Sequence, residues 1–343
     1  MSLIEIRKVE NKKDLKTFID FHYDLYEGNE YDVPNLFSDE MNTLSKDRNA
    51  AFEFCESEYF LAYKDGKLAG RVAAIINHKA NERWNCKSVR FGWIDFIDDR
   101  EVSKALLQAV EDYGKSKGMD NVVGPLGFTD MDPEGMLTWG FDQLGTMPTI
   151  YNYSYYPEHI EALDGYEVDN KYVEYKLIVP DTVPEKYAKI AAMIEKRYNL
   201  HVRKLTKKDV FQGGYGQKIF ELINATYKDL YGYSELSQKQ IDQLIHSYLS
   251  FLDFNLITCI EDWSEAEHKM VGIGITIPSL AKALQKCRRG RLFPFGWWHV
   301  LRAIKMHKTK IVDLLLVGVL PEYRAKGANA LLFADLIPRY QAY

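Results

Sequence analysis

The sequence lacks the features that mark membrane-spanning, secreted and disulfide-stabilised proteins. No stretch reaches the roughly 18 apolar residues of a membrane helix. The first residues, MSLIEIRKVE, lack the apolar core of a signal peptide. Cys55, Cys86, Cys259 and Cys287 are scattered, without a Cys-x-x-Cys pair or a histidine at metal-ligand spacing. We expect reduced thiols, no metal site and a cytoplasmic protein.

The chain also lacks a positive net charge, which limits the classes of partner that we expect it to bind. The chain has 44 lysines and arginines against 49 aspartates and glutamates, a formal net charge of -5. A general nucleic-acid binder normally has a basic domain, so no nucleic-acid partner is expected. At 343 residues the chain exceeds the size at which single cores usually stop growing, so we expect two domains.

The chain contains two copies of one plan. The segment IRKVENKKDL (Ile6 to Leu15) is echoed by VRKLTKKDV (Val202 to Val210), and an amphipathic helical pattern follows each. Both halves continue with a hairpin pattern and then a similar helix, ALLQAVEDYGKSKG in the first and ALLFADLIPRYQAY in the second. This order predicts a mixed α/β sheet in each half. The predicted limits are 1–180 for the first domain, 181–200 for a connecting helix and 201–343 for the second domain.

The segment PEYRAKGANALL, from Pro321 to Leu332, follows the apolar run IVDLLLVGVL and predicts a strand, a tight turn and a helix. A helix N-terminus has unpaired N–H groups and partial positive charge, which suits a phosphate. Gly327 permits close approach of the backbone, and Arg324 and Lys326 add positive charge. A strand with an open edge can also pair with an extended, amide-bearing ligand. An ordinary turn with solvated cations is the alternative.

In the form VLPEYRAKG, Val319 to Gly327, this segment resembles motif A of the GNAT acyltransferases. Other stretches, among them LAGRVAAIINHKAN and YNYSYYPEHIEALDGYE, are similar to a tandem-GNAT group of bacterial N-acyltransferases. The resemblance implies an α/β fold with two GNAT-like domains in tandem, each a mostly antiparallel twisted sheet flanked by helices. It also implies that the loop binds the pyrophosphate of an acyl-CoA. The residues expected to bind it are Val317, Gly318, Val319, Arg324, Ala325, Lys326, Gly327, Ala328 and Asn329, the last standing where the family has Gly or Ala.

We therefore expect an N-acyltransferase, in the simplest case an N-acetyltransferase, that uses acetyl-CoA or a longer acyl-CoA and a small-molecule or peptide amine. Direct attack by the amine requires a proton acceptor, for which Asp313 is the candidate; a solvent-facing residue at a strand start is the alternative. Cys259 and Cys287 lack histidine and aspartate partners, which disfavours an acyl-cysteine intermediate. Two other classes stay open: a non-catalytic acyl-CoA-binding module and an aminoacyl-tRNA-dependent transferase.

The first half is not expected to bind the coenzyme. At the equivalent turn it has Asp98, Asp99 and Glu101, which repel phosphate. A helix cap is the compatible structural role for the aspartates. Further on, the stretch TIYNYSYYPEHIEALDGYEV offers aromatic surface for a substrate cleft or for an interdomain seam, and the seam is favoured. A closing strand is predicted at KYVEYKLIV.

The second half has a basic and aromatic insertion. No acidic residue occurs from Ala281 to Val312. Three interpretations compete: a cationic cover over the sheet, a surface for anionic lipid through 281–310, and a lid over the acyl chain. The cationic residues are Lys282, Lys286, Arg288, Arg289, Arg291, Arg302, Lys305, Lys308 and Lys310.

The second half stops at Tyr343, inside the helix that matches Ala105 to Gly118. Compared with the first half, it lacks a strand, a helix and a closing hairpin. We therefore expect a truncated second domain. The resemblance to the GNAT acyltransferases implies the same and further implies that a catalytic acid lies beyond residue 343.

Overall fold

The structure is a computed structural model that describes residues 3–249, 252–264, 266–306 and 309–342. It divides into two compact units: Met1–Val173 with Leu280–Val300, and Glu174–Ser279 with Leu301–Tyr343. These limits differ from the predicted ones in three segments: 174–180 and the connecting helix belong to the second unit, and 280–300 belongs to the first.

The first unit is built on a five-stranded sheet of order β1-β2-β3-β4-β5. Neighbouring strands are antiparallel except β4 and β5, which are parallel. The strands are Ile4–Lys8 (β1), Cys55–Lys64 (β2), Lys67–Asn77 (β3), Ser88–Phe96 (β4) and Asn121–Val123 (β5). The helices are Lys12–Leu25 (α1), Phe37–Thr43 (α2), His78–Trp84 (α3), Arg100–Ser116 (α4) and Tyr155–Glu161 (α5), with a 3₁₀ turn at Ala50–Glu53.

The second unit is built on a four-stranded antiparallel sheet of order β6-β7-β8-β9. Its strands are Leu200–Arg203 (β6), Ile257–Asp262 (β7), Lys269–Pro278 (β8) and Val312–Val319 (β9). Its helices are Glu185–Tyr198 (α6), Lys207–Phe211 (α7), Tyr215–Tyr227 (α8), Gln238–Leu244 (α9), Pro321–Arg324 (α12) and Ala328–Tyr340 (α13), with a π-helical turn at Ile245–Leu249. Between β8 and β9 lie Ala281–Leu284 (α10) and Gly296–Lys305 (α11).

The first sheet buries both of its faces, which explains the apolar run in β3. On one face Val72, Ala74 and Ile76 pack with Leu106 of α4. On the opposite face the intervening residues of β3 pack with Phe18 of α1. Because side chains alternate along a strand, a strand between two helical layers is apolar at nearly every position.

Each unit carries the same irregularities in its sheet, so the duplication predicted from the sequence is present in the fold. In the first unit the β2–β3 pairing shifts after Ala62, and in the second the β7–β8 pairing shifts after Ile260. A second shift adds one residue to β4 and one residue, Leu315, to β9. Such bulges bend a strand and redirect its side chains, often beside a functional site.

The predicted closing strand KYVEYKLIV does not form. Residues 171–179 have no strand assignment, and Tyr175, Leu177 and Ile178 are exposed. The prediction was wrong because alternating apolar residues give strand propensity but no pairing partner, and in the described part of the chain no strand pairs with this segment.

Candidate functional site at the turn between β9 and α13

The predicted strand, turn and helix are present in the second unit. The chain leaves β9 at Val319, makes the single helical turn α12 and enters α13 at Ala328. Gly327 is the N-cap residue of α13 and has φ of +82°. In this left-handed region a glycine avoids the strain that a side chain would cause. At the start of α13 the Ala330 N–H already donates to the Gly327 carbonyl at 2.8 Å. The N–H groups of Ala328 and Asn329 have no backbone acceptor among the described residues, so they are the ones available to an anion.

Gly327 also has a packing role. A Cβ atom on this residue would lie 2.8 Å from Cδ1 of Ile194 in α6. Any larger residue here would therefore strain the backbone, because φ is positive, and would require the end of the Ile194 side chain to shift. A substitution at Gly327 changes the local backbone and packing as well as the candidate site.

The two cations of the turn form no ion pair with a carboxylate within the described residues. Arg324 is exposed, and its guanidinium donates to the backbone carbonyls of Val319, at 2.9 Å, and Thr226, at 3.4 Å. The Lys326 ammonium lies 4.1 Å from the centre of the Tyr323 ring and also interacts electrostatically with Glu322 and Asp262. The positive charge of Lys326 is therefore partly offset by these carboxylates.

The small residues of the turn divide into two groups. Ala325 and Asn329 are exposed, whereas the side chain of Ala328 is fully buried in the core beside Leu331. Only the backbone of Ala328 can therefore contribute to a site. Its small side chain is explained by core packing and not by ligand access.

Of the β9 residues predicted to bind the coenzyme, Val317, Gly318 and Val319, not all have an N–H group at the open edge of the strand. The Leu320 N–H donates to Val271 of β8, and alternation along a strand puts the Gly318 N–H on the same side. The N–H groups of Val317 and Val319 consequently face the other edge, where no strand of the described residues pairs with β9. Val319, and not Gly318, is the residue whose N–H suits an oxyanion.

Tyr227 is a residue that sequence reasoning did not assign to the site. Its hydroxyl oxygen accepts from the Val317 N–H at 3.2 Å, so its own proton remains available to a group at this edge. Burial raises the pKa of Tyr227, which keeps the hydroxyl protonated. No sequence motif marks it, because it reaches β9 from the end of α8.

Asp313 lies at the opposite end of β9 from the turn. Val319 is six positions further along the chain, about 20 Å along a strand. Its side chain is 7% exposed, and Oδ2 has no hydrogen-bond partner among the described residues. Burial raises the pKa of this carboxyl. The structure thus does not bring Asp313 to the turn, and the expectation of a solvent-facing residue is wrong.

The equivalent turn of the first unit is closed by protein contacts. Asp99 caps α4, accepting from the Glu101 N–H at 3.0 Å, and pairs with Lys64. Asp98 pairs with His159, at 3.0 Å from Oδ1 to Nε2. The capping role expected for the aspartates is confirmed for Asp99. A phosphate here would meet carboxylates that already have protein partners.

The tyrosines after β5 pack inside the first unit. The Tyr156 hydroxyl donates to Asp95 at 3.0 Å, Tyr155 donates to the Phe96 carbonyl, and Tyr153 donates to the Leu25 carbonyl. These contacts fix the segment to β4 and α1. Tyr151 and Tyr156 also line a pocket in this unit, which supports the cleft interpretation for those two residues.

The basic insertion is partly neutralised within the first unit. Arg289 pairs with Asp20 and Asp24, and Arg291 pairs with Asp20. These arginines therefore hold the insertion against α1 and are not solvated charges over a sheet. Lys308 lies outside the described residues.

Exposed aromatic side chains follow Arg289 and Arg291 in the chain. Phe293 and Phe295 are 79% and 74% exposed, and Trp297 and Trp298 are 44% and 43% exposed. None of the helices among the described residues combines the length and apolar character of a membrane span. In the same residues no group of acidic, histidine and cysteine side chains is arranged to hold a metal.

Comparison with known proteins gives distant but extended similarities. No protein-family model matches the chain. The chain is 25% identical over 333 residues to the bacterial ceramide synthase of Caulobacter vibrioides, covering 96% of this chain and 84% of the relative. It is 27% identical over 320 residues to protein YghO of Escherichia coli, covering 93% and 79%.

Solved structures similar to the chain include a tandem GNAT protein from the clavulanic acid biosynthesis pathway. That match has 10% identity and a TM-score of 0.49, and covers 99% of this chain and 87% of the other. An aminoglycoside N-acetyltransferase in complex with CoA matches with 19% identity and a TM-score of 0.31, covering 52% and 96%.

Proposed function

We propose that the chain is an N-acyltransferase that moves an acyl group from acyl-CoA to a primary amine. The observation that carries the proposal is the turn from β9 to α13. It combines a left-handed glycine, a helix N-terminus and two cations that form no ion pair with a carboxylate among the described residues. Pyrophosphate is the anion that such a turn suits.

The proposed reaction is direct aminolysis of the thioester. The neutral amine attacks the acyl carbon, the C–N bond forms and the C–S bond breaks. The Val319 N–H stabilises the negative charge on the carbonyl oxygen, a contact worth about 3 kcal/mol where it has been measured in enzymes. The Tyr227 hydroxyl supplies the proton to the departing thiolate. The nitrogen loses a proton to a water chain, for which Asp313, about 20 Å along β9 from Val319, is the candidate terminal acceptor.

A covalent route through cysteine has less support. Cys259 is fully buried, and burial raises the pKa of its thiol far above the ordinary value. Burial also raises the pKa of Cys287. A buried, protonated thiol is a poor nucleophile.

We propose that the acceptor is a long-chain amino alcohol. The relative from Caulobacter vibrioides is a ceramide synthase, and a ceramide is the N-acyl derivative of such an amine. The exposed aromatics Phe293, Phe295, Trp297 and Trp298 lie near lysines and arginines, of which Arg302 and Lys305 form no ion pair among the described residues. Together they give the chain a surface suited to anionic lipid. A peripheral membrane contact would bring the enzyme to a lipid amine.

The direct test is release of coenzyme A from acyl-CoA, with acyl chains of several lengths and a panel of short and long amines. The proposal predicts turnover that requires an amine and is fastest with a long-chain amino alcohol. A matched long-chain diol without nitrogen serves as the control and should give no amide. Coenzyme A binding without turnover on any amine would instead identify a binding module.

A further inference from the structure

The first unit contains a pocket whose walls are charged although most of the lining is buried. Its volume is about 90 Å³, several times what one water molecule needs. It is bounded by α1, α2, β3, the bulged part of β4 and the segment after β5. The charged residues in the wall are His22, Asp32, Glu40, Arg71 and Asp95.

Most of these charges neutralise one another. Asp95 accepts two hydrogen bonds from Arg71, at 2.7 Å from Nη2 and 2.8 Å from Nε. It accepts a third from Nδ1 of His22 at 3.1 Å. The other ring nitrogen of His22 lies 3.4 Å from Asp32. Burial alone would lower the pKa of His22, but Asp32 and Asp95 overcome this and raise it to about 10. His22 is therefore an imidazolium held between two carboxylates.

Glu40 is the carboxylate without a cationic partner among the described residues. It is 8% exposed, and its two oxygens accept only from neutral donors, Trp93 Nε1 at 2.7 Å and Asn35 Nδ2 at 3.0 Å. A carboxylate has four acceptor positions, so capacity remains on both oxygens. Three carboxylates against two cations leave one negative charge in the pocket wall.

The bulge in β4 explains how Trp93 reaches this carboxylate. Trp93 has φ of +46°, a left-handed conformation that is strained for a bulky side chain. The added residue of β4 turns the indole towards Glu40. The pocket thus has an aromatic wall beside a buried, cation-free carboxylate, and both groups attract a cation.

We propose that this pocket binds a primary ammonium group, with Glu40 as its counter-ion and Trp93 and Tyr151 as its aromatic walls. The chemical class is a small cationic head group such as that of an amino alcohol. The proposal concerns binding to the first unit alone and does not rest on the proposed function. A second pocket of about 250 Å³ shares Tyr23 and Asp32 with the first and offers room for the remainder of such a molecule.

The test is ligand-observed NMR titration of the full chain with ethanolamine near neutral pH, without coenzyme A. Ethylene glycol is the neutral isostere, and the proposal predicts that it binds at least about tenfold more weakly. Glu40→Gln keeps the shape and removes the charge, so the affinity for ethanolamine should fall by about tenfold or more. Glu40→Asp should retain part of it, and Glu82→Gln, an exposed glutamate on α3, should leave it unchanged.

Equal affinity for ethanolamine and ethylene glycol, no binding of the amine, or full binding by a folded Glu40→Gln variant would overturn the proposal. The comparison of the two ligands on the unmodified chain holds even if a variant fails to fold. Coenzyme A titration of the same samples separates the two proposals, because loss of the amine site leaves the turn at Arg324 intact. Amine binding without coenzyme A binding would instead support the pocket and remove the transferase.

Discussion

The structure changes the interpretation of Asp313, which was chosen from the sequence as the candidate proton acceptor. The sequence placed it at a strand start, where a solvent-facing carboxylate is common. In the fold it is buried with one oxygen unpartnered in the described residues, about 20 Å along β9 from the turn. A buried carboxyl with a raised pKa is either a proton acceptor or an unfavourable charge, and the two roles give different results on substitution.

Asp313→Asn should stabilise the chain near neutral pH, by about 1 kcal/mol, because the amide removes a buried charge. The folded-state pKa of Asp313 lies above 3.8, so the folded chain holds this proton more tightly than the unfolded chain. Stability of the unmodified chain should therefore fall as pH rises through that window, and the advantage of the variant should vanish below pH 3.8. Denaturant unfolding at several pH values measures both effects.

Activity separates the two roles of Asp313. If it accepts the proton of the amine, the variant gains stability but loses turnover; if its role is structural, turnover is unchanged. Asp242→Asn, an exposed aspartate on α9, is the control and should change neither. A less stable Asp313→Asn variant near neutral pH would contradict the account of this carboxyl.

At the scale of elements, the turn from β9 to α13 was predictable because its determinants are local. The order strand, cations, glycine and apolar helix lies within a dozen residues, and each residue type has a conformational reason. The role of Ile194 was not predictable, because α6 is far from Gly327 in the chain. The same holds for Tyr227 and for the pocket around Glu40, whose members come from separate elements.

The segment KYVEYKLIV shows the opposite failure. Its alternation satisfies the local rule for a strand, yet strands form only where another strand pairs with them. The local sequence pattern therefore predicted the helices and the tight hairpins. It failed for a strand whose formation depends on pairing with a distant strand. The bulges in β4 and β9 could not be predicted either, because a one-residue shift of register hardly changes the amino-acid composition of a strand.

The aromatic stretch before and within α11 carries a prediction of its own. Vesicles with anionic lipid should bind the chain more tightly than zwitterionic vesicles, because each lysine or arginine near an anionic surface contributes about 1 kcal/mol. The double variant Phe293→Ser and Phe295→Ser should reduce binding at least about tenfold, since two exposed rings are lost. Co-sedimentation with vesicles measures both quantities.

Trp139→Ser is the matched control for that experiment. Trp139 is 86% exposed but lies outside the basic stretch, so its loss should not change vesicle binding. Equal binding to both kinds of vesicle, or full binding by the double variant, would contradict a lipid-facing role for this stretch.

At the scale of the whole molecule, duplication has produced two scaffolds with different turns. Both units carry the same bulges, and each leads from a bulged strand towards a helix N-terminus. In the first unit carboxylates occupy that turn and pair with His159 and Lys64. In the second unit a glycine and two cations occupy it. The shared fold therefore does not imply two shared sites, and we propose one coenzyme site per chain.

Calorimetric titration with coenzyme A tests this central claim most directly. The account predicts one coenzyme A per chain and at least about tenfold weaker binding by the double variant Arg324→Ala and Lys326→Ala. Lys208→Ala, an exposed lysine on α7, is the control and should bind as the unmodified chain does. Gly327 is unsuitable for this purpose because its substitution also strains the backbone at a positive φ and shifts the Ile194 side chain. Two molecules bound per chain, or unchanged affinity in the double variant, would contradict the account.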